Sequence, residues 1–305
     1  MSKQTKGIIL AISGASLWGG SGAAIQYLFT NTSIKTEWIV AIRMLFAGLL
    51  LLSWSFYKGR DQLKAISRDK TSWWQILMFA LLGVCNSQLS YFFAVKYSNA
   101  STATVLQYLS PIIIIVWMAL VTKSWPRRID VISIGFALVG TFYLVTGGNI
   151  HSLMLTHQAL AWGLWSAVAA ALYTLLPRQL MQKYDASVMC GVAMFIGGII
   201  LSPILFIETA PSLTFFDWLM VVYVVIFGTA LAYTLFVQSI RYVSPSVTGI
   251  LSAFEPLVAT VLAVSLLGTK LTAAATIGSL LIVATTLIQA MPTNPLAKRK
   301  LKNKG

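Results

Sequence analysis

Two charged residues, Arg43 and Glu255, lie in stretches that are otherwise almost entirely apolar. A charge at the centre of a bilayer costs about 2.5–3.5 kcal/mol even on a lenient insertion scale, so such residues usually face the protein interior and serve a function. Glu255 is near the middle of its apolar stretch, directly before Pro256. It could bind a cationic or amino group of a substrate, carry a proton, or remain a protonated acid that caps kinked backbone.

Arg43 lies about six residues, or roughly 9 Å, inside the outer end of its apolar stretch. At that depth an arginine can extend its guanidinium to the interface or donate structural hydrogen bonds. It could also hold a substrate carboxylate or pair with Glu255, since the two depths differ by only about 6 Å. Arg43 is therefore an ion-pair candidate, with the structural interpretations left open.

Polar and aromatic side chains recur in the apolar stretches at helical spacing. Gln88 and Tyr91 share one helix face because they are three residues apart, and Ser252 precedes Glu255 by the same interval. Hydrogen bonding between helices explains any one such residue, and aromatic residues often only pack. Their convergence favours a polar cavity with aromatic walls. The candidate substrate-binding residues are Trp18, Gln88, Tyr91, Gln107, Tyr108, Trp165, Tyr173, Tyr233, Ser252 and Glu255.

The composition requires a lipid environment for these residues. Only 10% of the 305 residues are charged and 57% are hydrophobic, with a mean hydropathy of +0.79, whereas soluble domains carry about 25% charged residues. The net charge of +14 does not indicate a nucleic-acid partner, because the basic residues occupy short loops and a tail without a continuous basic face. We predict an all-α, polytopic membrane protein embedded in the lipid bilayer.

Ten stretches satisfy the roughly 20-residue requirement for a membrane-spanning helix. Most Lys and Arg residues fall in alternate loops, and only Lys35, Lys96 and Lys270 fall in the other set. The positive-inside rule then places both termini in the cytoplasm of a plasma-membrane protein. The predicted spans are 7–29, 37–57, 73–95, 100–121, 129–147, 159–180, 188–207, 217–238, 246–268 and 272–291.

The sequence contains a weak internal repeat. Residues 95–112 align with 240–257 without a gap, pairing Tyr97 with Tyr242 and Pro111 with Pro256. Five spans separate the copies, so the second copy enters the membrane from the opposite side, as in the inverted repeats of secondary transporters. The predicted units are a first five-helix repeat at 1–150, a second at 151–292, and a basic cytoplasmic tail at 293–305.

Pro111 and Pro256 each lie about ten residues, or roughly 15 Å, inside a predicted span. Proline at that depth removes a backbone hydrogen bond and kinks the helix. The kinks could serve helix packing alone. Matched interruptions in both halves favour a binding region there, because carbonyl groups freed in a membrane must find partners in protein or a wet cavity.

Six short motifs are spread over the two predicted units. They are LWGGSGAA at 17–24, IVAIRMLFAG at 39–48, TVLQYLSP at 104–111, LWSAVAAALYTLLPR at 164–178, YVSPSV at 242–247 and SAFEPLVA at 252–259. Together they resemble the EamA family of the drug/metabolite transporter superfamily across essentially the whole chain. This resemblance implies a ten-helix exporter with a central cavity lined by the first, third, fourth, sixth, eighth and ninth spans, for amino acids, other metabolites or organic cations. The family usually has glutamate after the glycine that ends the ninth span, where Thr269 follows Gly268 here.

The leading hypothesis is a secondary transporter that exports a small metabolite, such as an amino acid, an amine or an aromatic or cationic compound, with protons as a candidate coupling ion. A sugar-phosphate-like substrate, a channel and a membrane enzyme are the alternatives. An enzyme would need clustered ligands or nucleophiles, yet the two histidines, His151 and His157, have no nearby acid at catalytic or metal-ligand spacing. We expect no cofactor and no metal. The oligomeric state stays open.

Overall fold

The computed structural model describes residues 3–123, 125, 128–149, 155–207, 211–239, 242, 251 and 254–290. Every regular element in these ranges is helical. Seven helices are long and apolar enough to cross a bilayer, and three shorter apolar helices lie at Val131–Tyr143, Phe254–Leu267 and Ala273–Ala284. The prediction of an all-α, multi-pass membrane protein is therefore confirmed.

The described residues form twelve helices of at least eight residues, two of which contain π-helical segments. They are α1 Lys3–Asn31, α2 Thr36–Lys58, α3 Arg60–Arg68, α4 (Lys70–Met78, Phe79–Cys85 and Asn86–Tyr97), α5 Ala100–Gln107, α6 Ser110–Thr122, α7 Arg128–Thr146, α8 His157–Leu175, α9 Ala186–Leu201, α10 (Phe215–Val222, Tyr223–Leu231 and Ala232–Ser239), α11 Phe254–Leu267 and α12 Ala273–Ala290.

The predicted fourth span is divided into two helices. α5 ends at Gln107, Tyr108 and Leu109 form a turn, and α6 begins at Ser110 with Pro111 in its first turn. Proline is tolerated in a first turn because the N–H groups there have no intrahelical partner. The interruption predicted for Pro111 is thus a helix break rather than a kink. At Pro256, the side chain is buried within α11, and residues 252 and 253 just before it lie outside the described part of the chain.

Two helices contain π-helical turns, at Phe79–Cys85 in α4 and at Tyr223–Leu231 in α10. The alignment that pairs 95–112 with 240–257 brings 79–85 onto 224–230, inside the second π turn. A π turn holds one extra residue per turn and changes the direction in which the following side chains project; such turns are frequent at functional sites. Neither turn was predicted from the sequence.

The most extensive helix packing joins the first and second parts of the chain. The pairs are α2 with α9, α7 with α12, α1 with both α10 and α11, and α8 with α4, α5 and α6. Small residues allow the close approaches. A Cβ atom on Gly19 would lie 2.5 Å from the Glu255 carbonyl oxygen, and one on Gly228 would lie 2.5 Å from Ser21 Cβ. Such contacts between small residues are how helices associate in lipid, where no hydrophobic force drives them together.

Candidate substrate cavity

A cavity of about 160 Å³ lies where these helices meet. Its lining includes seven of the ten predicted substrate-binding residues and the ion-pair candidate Arg43. The residues brought together are Trp18, Arg43, Gln88, Tyr91, Gln107, Tyr173, Tyr233 and Glu255. They come from α1, α2, α4, α5, α8, α10 and α11, so the cavity is shared by both parts of the chain.

Three predicted residues are placed differently. Tyr108 lies in the turn between α5 and α6 and is not among the residues that line the cavity. Trp165 lies off the cavity with 48% of its surface exposed, and its indole N–H donates to Asn86 Oδ1 at 2.9 Å. Along α8, Trp165 is rotated by about 80–140° from Tyr173 and Ala170, the residues that line the cavity. Ser252 lies outside the described residues.

Arg43 is buried, with 6% of its surface exposed. Its Nε–H donates to the Thr229 hydroxyl, and Nη2 donates to the Gly228 carbonyl oxygen at 3.2 Å. The guanidinium also lies 4.9 Å from the centre of the Phe92 ring. Arg43 therefore does not extend to the membrane interface; it forms structural hydrogen bonds that join α2 to the π turn of α10.

The π turn of α10 explains why Arg43 is needed there. The Thr229 hydroxyl donates to the Val224 carbonyl oxygen, five residues earlier, at 2.7 Å, in place of the four-residue spacing of an α-helix. Arg43 then supplies additional donors to Thr229 and Gly228 on the same turn. Backbone carbonyl groups that lose regular helical partners inside a membrane must be satisfied by other protein groups, and Arg43 provides them.

Glu255 shares the cavity with Arg43 but is not among its direct hydrogen-bond partners. The two groups interact electrostatically within the site, while the named hydrogen bonds of Arg43 go to α10. The Arg43–Glu255 ion pair thus stays a prediction. The arrangement places a carboxyl group and a guanidinium in the lining of one cavity.

Aromatic rings form one wall of the cavity. Trp18 and Tyr233 are in edge-to-face contact at 5.7 Å between ring centroids, and Tyr233 contacts Tyr173 at 6.1 Å in the same geometry. Tyr91 also lines the cavity, and its hydroxyl hydrogen-bonds to the Thr104 hydroxyl at 2.9 Å. Aromatic walls with a few fixed polar groups are typical of sites for small organic molecules.

Two hydroxyl groups in the cavity wall have no hydrogen-bond partner among the described residues. They are Ser21 Oγ and Tyr173 Oη, both buried. Buried polar groups in proteins are almost always hydrogen-bonded, so each exception needs an explanation. Thr36 and Ser133 are also buried without a partner in the described part of the chain, away from the cavity, whereas Ser21 and Tyr173 line a volume in which a polar solute or water would satisfy both hydroxyls.

Five residues of the lining were not predicted from the sequence: Ser21, Ser87, Ala170, Met194 and Thr229. Ser87 belongs to the polar run of α4 and could have been chosen with Gln88. Ser21 and Thr229 are single small hydroxyl residues among apolar neighbours, a pattern that usually reflects bonding to the helix's own backbone. Ala170 and Met194 carry no polar signal.

The EamA-like transporter family matches residues 5–146 and 157–291, which together include every described residue of the cavity. The chain belongs to the EamA-like transporter family. The EamA resemblance drawn from the motifs is thereby confirmed, and with it the description of the chain as a membrane transporter.

One relative of this EamA-like protein covers nearly its whole length, and another covers about half of it. It is 35% identical to the uncharacterized inner membrane transporter YicL of Salmonella typhimurium, over 98% of this chain and 99% of that protein. It is 28% identical to the riboflavin transporter ImpX of Fusobacterium nucleatum, over 56% of each chain. A solved crystal structure shares its fold with a TM-score of 0.63 at 20% identity, covering 98% of this chain and 99% of that one.

Proposed function

We propose that this protein is a secondary transporter that carries a small polar metabolite through the cavity by alternating access. The observation that carries the proposal is the pair of unpartnered hydroxyls, Ser21 and Tyr173, in a cavity that also contains Arg43 and Glu255. Helices from both parts of the chain contribute to it, as expected of a carrier whose site lies between two repeats.

The proposed architecture is ten transmembrane helices in two inverted five-helix repeats, at 1–150 and 151–292. Three observations support it. The family matches two separate stretches of similar length. The main helix contacts are repeated with the two stretches interchanged. α1 packs on α10, and their counterparts in the other stretch, α8 and α4, pack on each other. The two π turns occupy aligned positions.

Both termini, including the basic tail at 293–305, are assigned to the cytoplasm by the distribution of Lys and Arg.

The chemistry of the cavity favours a solute with charged or hydrogen-bonding groups and an apolar or aromatic portion. Glu255 suits an amino or cationic group, and the wall of Trp18, Tyr233 and Tyr173 suits a flat ring. The relative named as a riboflavin transporter supports the inclusion of ring compounds. Amino acids, amines and aromatic cations are therefore the first candidates, and a sugar-phosphate-like metabolite that uses Arg43 is the second.

One end of the cavity is closed by hydrogen bonds between helices. Gln26 lies about 12 Å along α1 from Trp18; its amide donates to the Thr269 hydroxyl at 3.0 Å and accepts from the Ala100 N–H at 2.8 Å. The hydroxyls of Ser101 and Thr260 also hydrogen-bond across α5 and α11. In the proposed orientation this is the outer end. The cavity is smaller than the roughly 300–1,000 Å³ of most ligand sites, so export requires these contacts to open.

The proposal is tested by a counterflow screen in proteoliposomes. Amino acids, amines, aromatic cations, riboflavin and a sugar phosphate are supplied with and without a pH gradient across the membrane. We expect saturable uptake that is accelerated by the same solute inside the vesicles, and a response to the pH gradient if protons are the coupling ion. Flux that rises linearly with concentration and shows no counterflow would identify a channel, and no flux of any solute would contradict the proposal.

A further inference from the structure

Helix α3 connects α2 to α4 and was not predicted from the sequence. It has nine residues, Arg60–Arg68. Its apolar side is held against the rest of the protein: Ile66 is buried and Leu63 partly buried in a cluster with Ile76, Leu180 and Met189. Gln62 adds two hydrogen bonds to Asp185, one to a carboxylate oxygen at 2.8 Å and one from the backbone N–H at 2.7 Å. α3 is therefore a docked element with a fixed outer face.

The opposite face of α3 is basic. Arg60, Lys64 and Arg68 follow one another at intervals of four residues, which places them in one stripe along the helix. All three are exposed. Within the described part of the chain, none of them has a carboxylate within ion-pair distance, and the ion pair formed there joins Lys183 to Asp69 at 3.4 Å.

The acids beside this stripe do not neutralise it. Asp69 accepts hydrogen bonds from the Ser72 hydroxyl at 2.6 Å and from the Thr71 N–H at 3.0 Å. These bonds, led by that from Ser72, hold the pKa of Asp69 below its usual value. The carboxylate is therefore ionised, and it is already engaged by Ser72, Thr71 and Lys183. Asp61 stands on the flank of α3 and is exposed. The outer face of α3 keeps a net positive charge.

Aromatic residues place α3 at a membrane interface. Trp54 and Tyr57 are exposed near the end of α2, and Trp73 and Trp74 are exposed near the start of α4. Exposed tryptophan and tyrosine at the ends of membrane helices lie at the level of the lipid headgroups. Lys58 lies 4.7 Å from the centre of the Trp54 ring, which adds another cation at this level. α3 lies between these two aromatic groups along the chain.

We propose that the Arg60–Lys64–Arg68 stripe of α3 is a docking surface for the headgroups of anionic phospholipids. Charge complementarity selects the partner, since basic residues at a membrane surface attract anionic lipids and are largely indifferent to zwitterionic ones. The guanidinium groups of Arg60 and Arg68 lie about 12 Å apart along the helix, and each suits the oxygens of one phosphodiester. Because α3 is bonded to the segment that leads into α9 through Gln62 and Asp185, bound lipid strengthens the junction between α3 and α9. This inference does not depend on the proposed transport function.

The test uses the full chain in nanodiscs of phosphatidylcholine with increasing fractions of phosphatidylglycerol. Native mass spectrometry counts the phosphatidylglycerol molecules retained on the protein, and thermal unfolding reports the effect on stability. Wild-type protein should retain phosphatidylglycerol and unfold at a higher temperature as its fraction rises. A triple variant, Arg60→Gln with Lys64→Gln and Arg68→Gln, should bind phosphatidylglycerol at least tenfold more weakly.

A matched variant removes the same charge from the tail, with Lys300→Gln, Lys302→Gln and Lys304→Gln, and should weaken binding much less than the triple α3 variant does. If the triple α3 variant cannot be recovered, Lys64→Gln alone should weaken binding about threefold. Equal retention of phosphatidylglycerol by wild type and α3 variants would overturn the proposal and leave α3 as a solvated face. Loss of binding only in the tail variant, or stabilisation by inorganic phosphate in pure phosphatidylcholine, would overturn it as well.

Discussion

The π turns of α4 and α10 occupy aligned positions in the two halves of the sequence, yet their surroundings differ. In α4 the turn is apolar and buried, with Phe79 against Tyr173 at 5.5 Å between ring centroids. In α10 the turn contains Thr229 and receives the hydrogen bonds of Arg43. The same backbone irregularity is thus dry in one half and polar in the other.

The two halves therefore share the helical backbone arrangement but differ in the side chains that surround it. The helix that packs on each π turn comes from the other half: α2 packs on the turn of α10, and α9 packs on the turn of α4. α2 brings Arg43 to the cavity, whereas α9 brings Met194. A solute in the cavity would therefore meet the guanidinium of Arg43 from α2 and the carboxyl group of Glu255 from α11, whereas α9 contributes the apolar Met194.

Removal of Arg43 should have the largest effect on stability. Arg43→Leu removes the donor to the Gly228 carbonyl, at about 1–3 kcal/mol for a buried group left unsatisfied, and one of the two hydrogen bonds of the Thr229 hydroxyl, which keeps its bond to Val224. We expect a clear fall in the unfolding temperature of detergent-solubilised protein and a lower folded yield. The matched change in the other half, Met194→Leu, conserves volume and should cost less than about 1.5 kcal/mol. If the Arg43→Leu and Met194→Leu proteins were equally stable, the polar contacts at the π turn of α10 would add no more stability than the apolar contacts at the π turn of α4.

Replacement of Glu255 should reduce transport while sparing stability. Glu255→Gln keeps the shape of the side chain and removes its charge and its capacity to carry a proton. We expect the initial counterflow rate to fall at least tenfold, equivalent to about 1.4 kcal/mol, for the solute found in the screen. Glu37→Gln, in the first turn of α2, is the matched control and should leave the rate unchanged. An unchanged rate and pH dependence in Glu255→Gln would remove this residue from the mechanism.

Exchanging the side chains at positions 229 and 84, which are aligned in the two π turns, should change the stability of the protein less than Arg43→Leu does. Thr229→Val removes a hydroxyl that both accepts from Arg43 and donates to Val224, at about 1 kcal/mol, and Thr229→Ser should restore most of the loss. Val84 occupies the aligned position in α4 and is fully buried. Val84→Thr places a hydroxyl in the dry turn and should also destabilise, by about 1–3 kcal/mol. Both are measured by thermal unfolding; if Val84→Thr stabilised the protein, the two turns would be chemically equivalent.

The fold and much of the cavity were predictable because lipid imposes a simple rule. Apolar stretches of sufficient length give the helices, and polar residues within them, such as Gln88, Gln107 and Glu255, point inward because lipid excludes them. The π turns were not predictable, since their sequences contain no proline and read as ordinary apolar helix. Trp165 was misplaced because the rotation of α8 depends on its neighbours and not on its own sequence. Thr229 was missed because one threonine in an apolar helix usually bonds only to its own backbone.

The proposed transport requires a polar cavity that water reaches between the two halves. Since the chain has only two cysteines, Cys85 and Cys190, both can be replaced by alanine before single cysteines are introduced. The decisive measurement compares Ser87→Cys, in the cavity, with Leu138→Cys, on the outer surface of α7 with 66% of the leucine exposed. A charged thiol reagent is applied to right-side-out and inside-out membrane vesicles. We predict that the cysteine at position 87 is labelled from the cytoplasmic side and that the one at 138, which faces lipid, is not. Absence of labelling at position 87 from both sides would contradict a water-filled transport site.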